Sequence, residues 1–244
     1  MFNELELFKK HEIKAKSIFE IREVSLKEAR DFVYTYHYLG KSVFMAIYNY
    51  GLFFNDSLVG VASYSIPQGN KTLQSWFNLP SNDKTVVELS RLCLIPKLNG
   101  SNATSYLLSN SIKKLRFKGI RAVITLADSK RHVGSIYQVC NFKYFGLTKE
   151  KNDFYSYNGD GTFKKGVRGV KISETEGVWV ARSRKHRYAF LLDKHMFCNY
   201  EEEPYPKYNA LVSFNCCDNT KTVFDNRNKQ LYTCPICTNK LIKK

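Results

Sequence analysis

Long apolar runs are missing from this chain of 244 residues. None approaches the roughly 20 residues that a bilayer crossing requires. The opening MFNELELFKKHEIKAK has no apolar centre of the kind that a secretory signal carries. Both absences lead to the expectation of a soluble, intracellular protein with no membrane partner. Acidic residues are scarce as well: 22 Asp and Glu stand against 38 Lys and Arg, a formal charge of +16. Such an imbalance favours a polyanionic partner through counterion release, and nucleic acid is the leading candidate over a basic surface that serves solubility alone. Of the seven cysteines, two are isolated and five follow position 197. In a reducing compartment they are expected to be thiols or metal ligands rather than a disulfide framework. Core material is plentiful, with 43% hydrophobic and 14% aromatic residues, enough for a packed globular domain.

The order of elements follows from local signals. Phe19 to Val24 alternates as a strand, and Ser25 caps a helix whose apolar positions Ala29, Phe32, Val33 and Tyr36 recur at helical spacing and which ends at Gly40. Val43 to Phe54 and Leu58 to Ile66 are β-rich and joined by the polar turn Asn55-Asp56-Ser57, which predicts an antiparallel hairpin. Residues 70 to 84 read as a surface excursion. The Trp76-Phe77 pair at its middle either stacks on exposed bases or pins the loop to the core. Val86 to Ile95 is a central strand ended by Pro96, Ala103 to Phe117 a helix closed by Gly119, and Ala122 to Ala127 the next strand. Glu88 and Arg91, three apart on that central strand, are expected to face opposite sides of the sheet.

The stretch from Val123 to Gly146 is the most informative. An apolar strand ends in Asp128, a loop with His132 and Gly134 follows, a helical Ile136-Tyr137 turn comes next, and Asn141-Phe142 leads into an aromatic strand. A carboxylate, an imidazole and a phenol thus gather around one strand end, where an open α/β sheet builds its active site. The expectation is an enzyme. Basic residues cluster at Lys113-Lys114, Lys130-Arg131, Lys164-Lys165 with Arg168, and through Arg182, Arg184, Lys185, His186 and Arg187, the last run holding five cations in six positions. With His132, these side chains suit phosphate contacts that position an enzyme on nucleic acid. The competing reading is a charged edge that guards a strand from pairing.

The resulting order β, α, β, β, β, α, β, α, β is similar to that of the GNAT acyltransferases, a mixed central sheet flanked by helices in the α/β class. In that fold the loop after the fourth strand offers backbone N–H groups to the pyrophosphate of coenzyme A, with a helix N-terminus behind it. The resemblance places that loop at Lys97, Leu98, Asn99, Gly100, Ser101 and Asn102. Gly100 fits the family pattern and Lys97 keeps a cation, but Asn102 stands where the pattern has a glycine or alanine. Acetyl-CoA or a related acyl-CoA is the implied cofactor, with Lys97, Asn99, Gly100, Ser101 and Asn102 as its binding residues.

A closer resemblance rests on an ordered set of short motifs. Tyr36-His37-Tyr38 with Gly40-Lys41, Tyr50-Gly51-Leu52-Phe53, Leu58-Val59-Gly60-Val61, Glu88-Leu89-Ser90-Arg91-Leu92, and Ala127-Asp128 through His132, Gly134 and Ile136-Tyr137-Gln138 are similar to the Mom family of phage DNA-modification proteins. Lys185-His186-Arg187-Tyr188 and Pro204-Tyr205-Pro206-Lys207 extend the match, which spans roughly residues 19 to 208. The resemblance implies an acyltransferase-like fold that converts the N6 amine of adenine in DNA to N6-carbamoylmethyladenine in the host cell cytoplasm, shielding phage DNA from restriction. It also implies iron. An added group on N6 blocks a major-groove donor that restriction enzymes read.

Roles are assigned on that basis. The exocyclic amine is a poor nucleophile and must be held closely. Asp128 would orient it or ligate iron, the alternative being a cap on the following loop. Tyr137 would protonate a departing thiolate, the alternative being a packed core tyrosine. The family motif makes His37, beside Tyr36, a general base or iron ligand, the alternative being a helix cap. Ser105 approaches the cofactor or supports the start of its helix.

Composition changes beyond Pro206. Cys216-Cys217, sixteen residues, then Cys234-Pro-Ile-Cys237 form half of a zinc-ribbon pattern, the first pair being adjacent rather than two apart. Zinc is the expected ligand, with Cys198 or His195 replacing one of that pair. The domain expectation is therefore residues 1–208 as catalytic domain and 209–244 as a small zinc-ribbon-like module. Two other classes stay open, an ordinary GNAT N-acetyltransferase acting on a protein or small-molecule amine and a nonenzymatic zinc-ribbon DNA-binding protein.

Overall fold

The computed structural model describes residues 14–69, 71–99, 101–157, 163–165, 176–216 and 219–226. By contact density the chain divides into two compact units, one of residues 1–125, 135–145 and 188–203, the other of residues 126–134, 146–187 and 204–244. The boundary falls within strands β5, β6 and β10 defined below.

The first unit begins with helix α1 (Ala15–Ile18), strand β1 (Glu20–Glu23) and helix α2 (Leu26–Tyr36). Helix α2 starts where the sequence places it, because Ser25 and Glu28 form a capping box: Ser25 Oγ accepts the Glu28 N–H while the Glu28 carboxylate accepts the Ser25 N–H. Ala29, Phe32 and Val33 face inward and pack with Val61. The helix ends at Tyr36, short of Gly40, with His37 at its C-cap.

Strands β2 (Tyr48–Phe54) and β3 (Ser57–Ser65) form the expected hairpin. Asn55 and Asp56 both take positive φ, 46° and 59°, which is the two-residue turn that matches strand twist and is eased by Asn and Asp. Strand β2 starts five residues later than the apolar pattern predicts; residues 43–47 stay outside it. Helix α3 (Thr72–Phe77) occupies what reads as a surface excursion. Trp76 and Phe77 are buried in a core with Val86, Ala122, Ile124 and Phe145, so these rings pin the segment and do not present faces to bases.

Strand β4 (Val86–Leu94), helix α4 (Ala103–Phe117), strand β5 (Ala122–Asp128), helix α5 (Ser135–Val139) and strand β6 (Lys143–Leu147) follow in the expected order. Strands β7 (Asn152–Tyr157), β8 (Phe163–Lys165) and β9 (Gly177–Ala181) make a separate three-stranded sheet ordered β8-β7-β9. Strand β10 (Lys185–Leu191) joins the main seven-stranded sheet, whose order is β1-β2-β3-β4-β5-β10-β6. Strands β4 and β5 pair in parallel, whereas β1–β2, β2–β3 and β3–β4 are antiparallel, so the sheet is mixed and the α/β expectation holds. Strands β11 (Tyr208–Cys216) and β12 (Asn219–Asn226) pair as a hairpin. Among the described residues no helix is long and apolar enough to cross a membrane.

Candidate functional site

Two irregularities around β4 create a polar site inside an apolar sheet. The first is a bulge. Ser63 pairs with Arg91 but Tyr64 pairs with Leu89, leaving Ser90 as an extra residue on β4. A bulge resets the alternation of side chains. Glu88, opposite Ser65, and Arg91, opposite Ser63, therefore share one face, contrary to the expectation from their spacing. Asn49 lies on this face too, opposite Ser63, whose Oγ donates to Asn49 Oδ1 at 2.7 Å. Asn49, Ser63 and Ser65 are buried.

The second irregularity is the end of the β4–β5 ladder. Its register runs Val86–Ala122, Val87–Val123 and Glu88–Ile124, although β4 continues to Leu94 and β5 to Asp128. The next link is a side chain: Thr125 Oγ1 donates to the Leu89 carbonyl at 3.1 Å. The polar face thus meets the point where the two strands cease to pair.

Tyr137 reaches the same point. It is buried on α5, its ring 5.6 Å from Phe142 and 5.4 Å from Tyr188. Burial pushes its phenol above the ordinary range, a hydrogen bond with Thr125 partly offsets this, and Tyr38 and Glu88 lie near enough to act on it electrostatically. Burial also raises the Glu88 carboxyl, opposed by the Gln68 N–H, which donates to Oε2 at 3.3 Å, and by Arg91. Arg91 Nη2 donates to Ser42 Oγ at 3.1 Å and to the Val43 carbonyl at 2.9 Å, whereas its Nε is buried without a hydrogen-bond partner among the described residues. An acid held protonated, a carboxylate with heightened proton affinity and an unsatisfied guanidinium donor can hold a polar substrate and move one proton.

The other expected residues distribute differently. His37 Nδ1 accepts the Leu39 N–H at 3.2 Å and its ring stacks on Tyr38 with centroids 4.3 Å apart. Tyr36 packs on Phe32 and is 44% exposed. Asp128 lies in the second unit. Its Oδ2 accepts from Lys185 Nζ at 2.7 Å and its Oδ1 from the Lys130 N–H at 3.1 Å. Burial raises its carboxyl, but these bonds outweigh it and hold the group below the usual carboxylate range. The described geometry of Asp128 is therefore that of an ion-paired loop cap.

The basic strip is partly neutralised within that unit. Arg184 Nε donates to the Thr148 carbonyl at 2.7 Å, Lys185 pairs with Asp128, and His186 is fully buried. Arg182 is exposed and pairs with Asp153 at 4.0 Å, Lys130 and Arg131 are exposed, and Arg187 is half-buried. The Ser129 N–H donates to the Arg184 carbonyl at 3.1 Å, which brings the Lys130-Arg131-His132 loop against the 182–187 run. His132 Nδ1 accepts the Gly134 N–H at 3.2 Å; burial lowers its pKa, as do Arg131 and Lys185, while Asp128 opposes them.

At the start of α4, the expected cofactor loop forms one 3-10 turn, Pro96–Leu98. Lys97 and Asn99 are exposed, and Gly100 lies outside the described residues. Ser101 Oγ accepts the Ala103 N–H at 3.3 Å and Ser105 Oγ donates to the Asn102 carbonyl at 2.9 Å. Asn102 occupies the N-cap without a side-chain capping bond. A groove of about 760 Å³ runs from there along α4, lined by Asn102, Ser105, Ser109 and Asn110 together with Lys14, Lys16 and Lys113. Among the described residues its lining holds three ammonium groups and no carboxylate, a donor set that fits a phosphorylated cofactor.

Metal sites are a different matter. Among the described residues no group of three or more His, Cys, Asp or Glu gathers to hold an ion. The iron candidates His37 and Asp128 fall in different units and have the local partners given above. For zinc, Cys216 lies on β11, while Cys217, Cys234 and Cys237 lie outside the described residues. Cys198 packs against the Leu73-Trp76 core, and the His195 N–H donates to Asp193 Oδ1 at 2.8 Å.

Residues 18–207 match the model of the Mom protein family. The chain belongs to that family. It is similar to the methylcarbamoylase Mom of Escherichia phage Mu, 24% identical over 208 residues that cover 77% of this chain and 83% of the relative. Weaker structural likenesses include the ribosomal-protein-S18-alanine N-acetyltransferase from Escherichia coli, 11% identical with 72% of this chain and 95% of that one covered at a TM-score of 0.45. A putative acetyltransferase from Salmonella typhimurium with its cofactor acetyl-CoA is 15% identical, with 73% and 96% covered at a TM-score of 0.44. The Mom match contains Asn49, Ser63, Ser65, Glu88 and Arg91 of the polar face together with Thr125 and Tyr137 at the end of the β4–β5 ladder. Sequence reasoning singled out Tyr137 but missed Asn49, Ser63, Ser65, Glu88, Arg91 and Thr125 as one group. Polar residues inside apolar strand runs were the available signal; the bulge that aligns them leaves none.

Proposed function

We propose that this protein is a DNA-modifying transferase of GNAT-like fold that converts the N6 amine of adenine in double-stranded DNA to N6-carbamoylmethyladenine, protecting phage DNA in the host cytoplasm. Membership of the Mom family over residues 18–207 carries this reading. The methylcarbamoylase Mom of phage Mu, similar along 77% of the chain, agrees with it.

The polar face supplies matching chemistry. Glu88, raised by burial, accepts a proton from the exocyclic amine, and Arg91 Nε–H, without a partner among the described residues, would donate to a ring nitrogen of the adenine. Tyr137, kept protonated by burial, is the proton donor on the opposite side of the transfer. An acyl-coenzyme A-type donor, when bound, would supply carbon activated as a thioester; attack on that thioester alone gives an N6-acyl group, so the N–CH2 bond and the amide nitrogen of the carbamoylmethyl product come from a separate step. Lys97, Asn99, Gly100, Ser101 and Asn102 at the α4 N-terminus, with the lysine-lined groove beside them, would hold its phosphates. Lys130, Arg131, His132, Arg182, Arg184, Lys185 and Arg187 would contact the DNA backbone, as their gathering in the second unit favours.

The test is nucleoside mass spectrometry on total DNA from bacteria expressing the full chain in iron-replete medium. A heavier deoxyadenosine should appear with the native sequence and fall at least tenfold with Tyr137→Phe or Glu88→Gln. Unmodified adenine in the presence of folded native protein would overturn the proposal.

A further inference from the structure

The segment that joins α2 to β2 carries its apolar side chains outward. From Lys41 to Ile47 exposure alternates as in an extended strand, a pattern that ordinarily turns apolar residues toward the core. Phe44 does pack inward on the α2 cluster. Its neighbours reverse the rule: Val43 is 78% exposed, Met45 58% and Ile47 49%. Tyr36, Tyr38 and Leu39 extend the row, each between 44% and 56% exposed. Scattered exposed apolar residues need no explanation, but a contiguous row marks an interaction surface.

This row is held in place. Arg91 grips Ser42 Oγ and the Val43 carbonyl, the Ile47 N–H donates to the Tyr64 carbonyl at 2.7 Å, and the Gly40 N–H donates to the His37 carbonyl at 2.8 Å. A surface fixed before binding loses little conformational freedom on contact. Its charge narrows the partner. No Asp or Glu occurs between Asp31 and Asp56, Lys41 lies within the row, and the chain carries +16 overall. Apolar and phenolic faces that include the exposed Lys41 and no carboxylate match stacked bases bordered by phosphates. Position adds a further constraint, because Arg91 anchors the segment from the face that carries Glu88, and Tyr38 lies near enough to Tyr137 to act on it electrostatically.

We infer that the Tyr36–Ile47 segment is a wedge that enters double-stranded DNA beside the target adenine and stacks in the space the extruded base leaves, a role that rests on the DNA reading above. The wedge converts base extrusion from a rare opening into the bound state.

The experiment uses the full chain and duplexes in which 2-aminopurine replaces adenine at successive positions. Anisotropy reports affinity and the rise in 2-aminopurine emission reports unstacking. Native protein should bind and brighten at least one position. Val43→Ser/Met45→Ser and Tyr38→Ala should bind roughly five- to hundredfold more weakly and lose the brightening. Phe117→Ser, at a 90% exposed site on α4, should change neither, and thermal melts verify that each variant is folded. Native-like affinity and brightening in the wedge variants would overturn the inference while leaving the DNA reading intact. Loss of self-association or of anionic-vesicle flotation in those variants, with duplex binding untouched, would assign the row to a second copy or a membrane and equally overturn it. Failure of native protein to bind any duplex would remove the DNA reading itself.

Discussion

Acidification should destabilise this protein through His186. The residue lies on β10 with no exposed surface. Burial lowers its pKa from 6.5 to about 4, with His132 and Arg184 pushing in the same direction and Asp128 opposing them. The folded pKa is below the unfolded one, so between those values the unfolded chain binds a proton that the folded chain refuses. Stability is therefore complete above about pH 6.5 and declines as pH falls toward 4. At pH 4.5 the shift corresponds to about 2.5 kcal/mol. Urea unfolding of the full chain across pH 7.5 to 4.5, set beside His186→Phe, isolates this part: the native chain should lose about 2.5 kcal/mol more than the variant over that range. Parallel stability curves would show that His186 is not held neutral by its surroundings, and the account of this strand would fail.

Smaller perturbations address the other elements. Ser25→Ala removes one half of the α2 capping box and should lower stability by about 1 kcal/mol, read from the urea midpoint. Thr125→Val strips the hydroxyl from the Leu89 carbonyl and from Tyr137, so a loss of about 1–3 kcal/mol is expected, together with a lower phenol-dependent modification rate in the nucleoside assay. Trp76→Ala opens the core shared with Val86, Ile124 and Phe145 and should cost about 3–5 kcal/mol in the same denaturation measurement; an effect below about 1 kcal/mol would mean that α3 is only loosely docked.

Local patterns made much of the first unit legible. The Ser25-x-x-Glu28 pair, the helical spacing of Ala29, Phe32 and Val33, the Asn55-Asp56 turn and the Ala103–Phe117 helix depend on residues within a few positions of one another. Their energetics are already present in a short stretch of chain. The positive charge excess and the ordered motifs of the Mom family are likewise properties of the sequence alone.

Pairing between distant residues settled the rest. Whether Glu88 and Arg91 share a face depends on the register of β4 against β3, where one unmatched residue at Ser90 reverses the alternation. Whether Asp128 stands as a lone carboxylate depends on Lys185, 57 positions away, and whether Trp76 meets solvent depends on Phe145 and Tyr200. A local pattern records which side chains are apolar or charged, but their partners are chosen by strand register and core packing, which bring together residues that no local spacing relates.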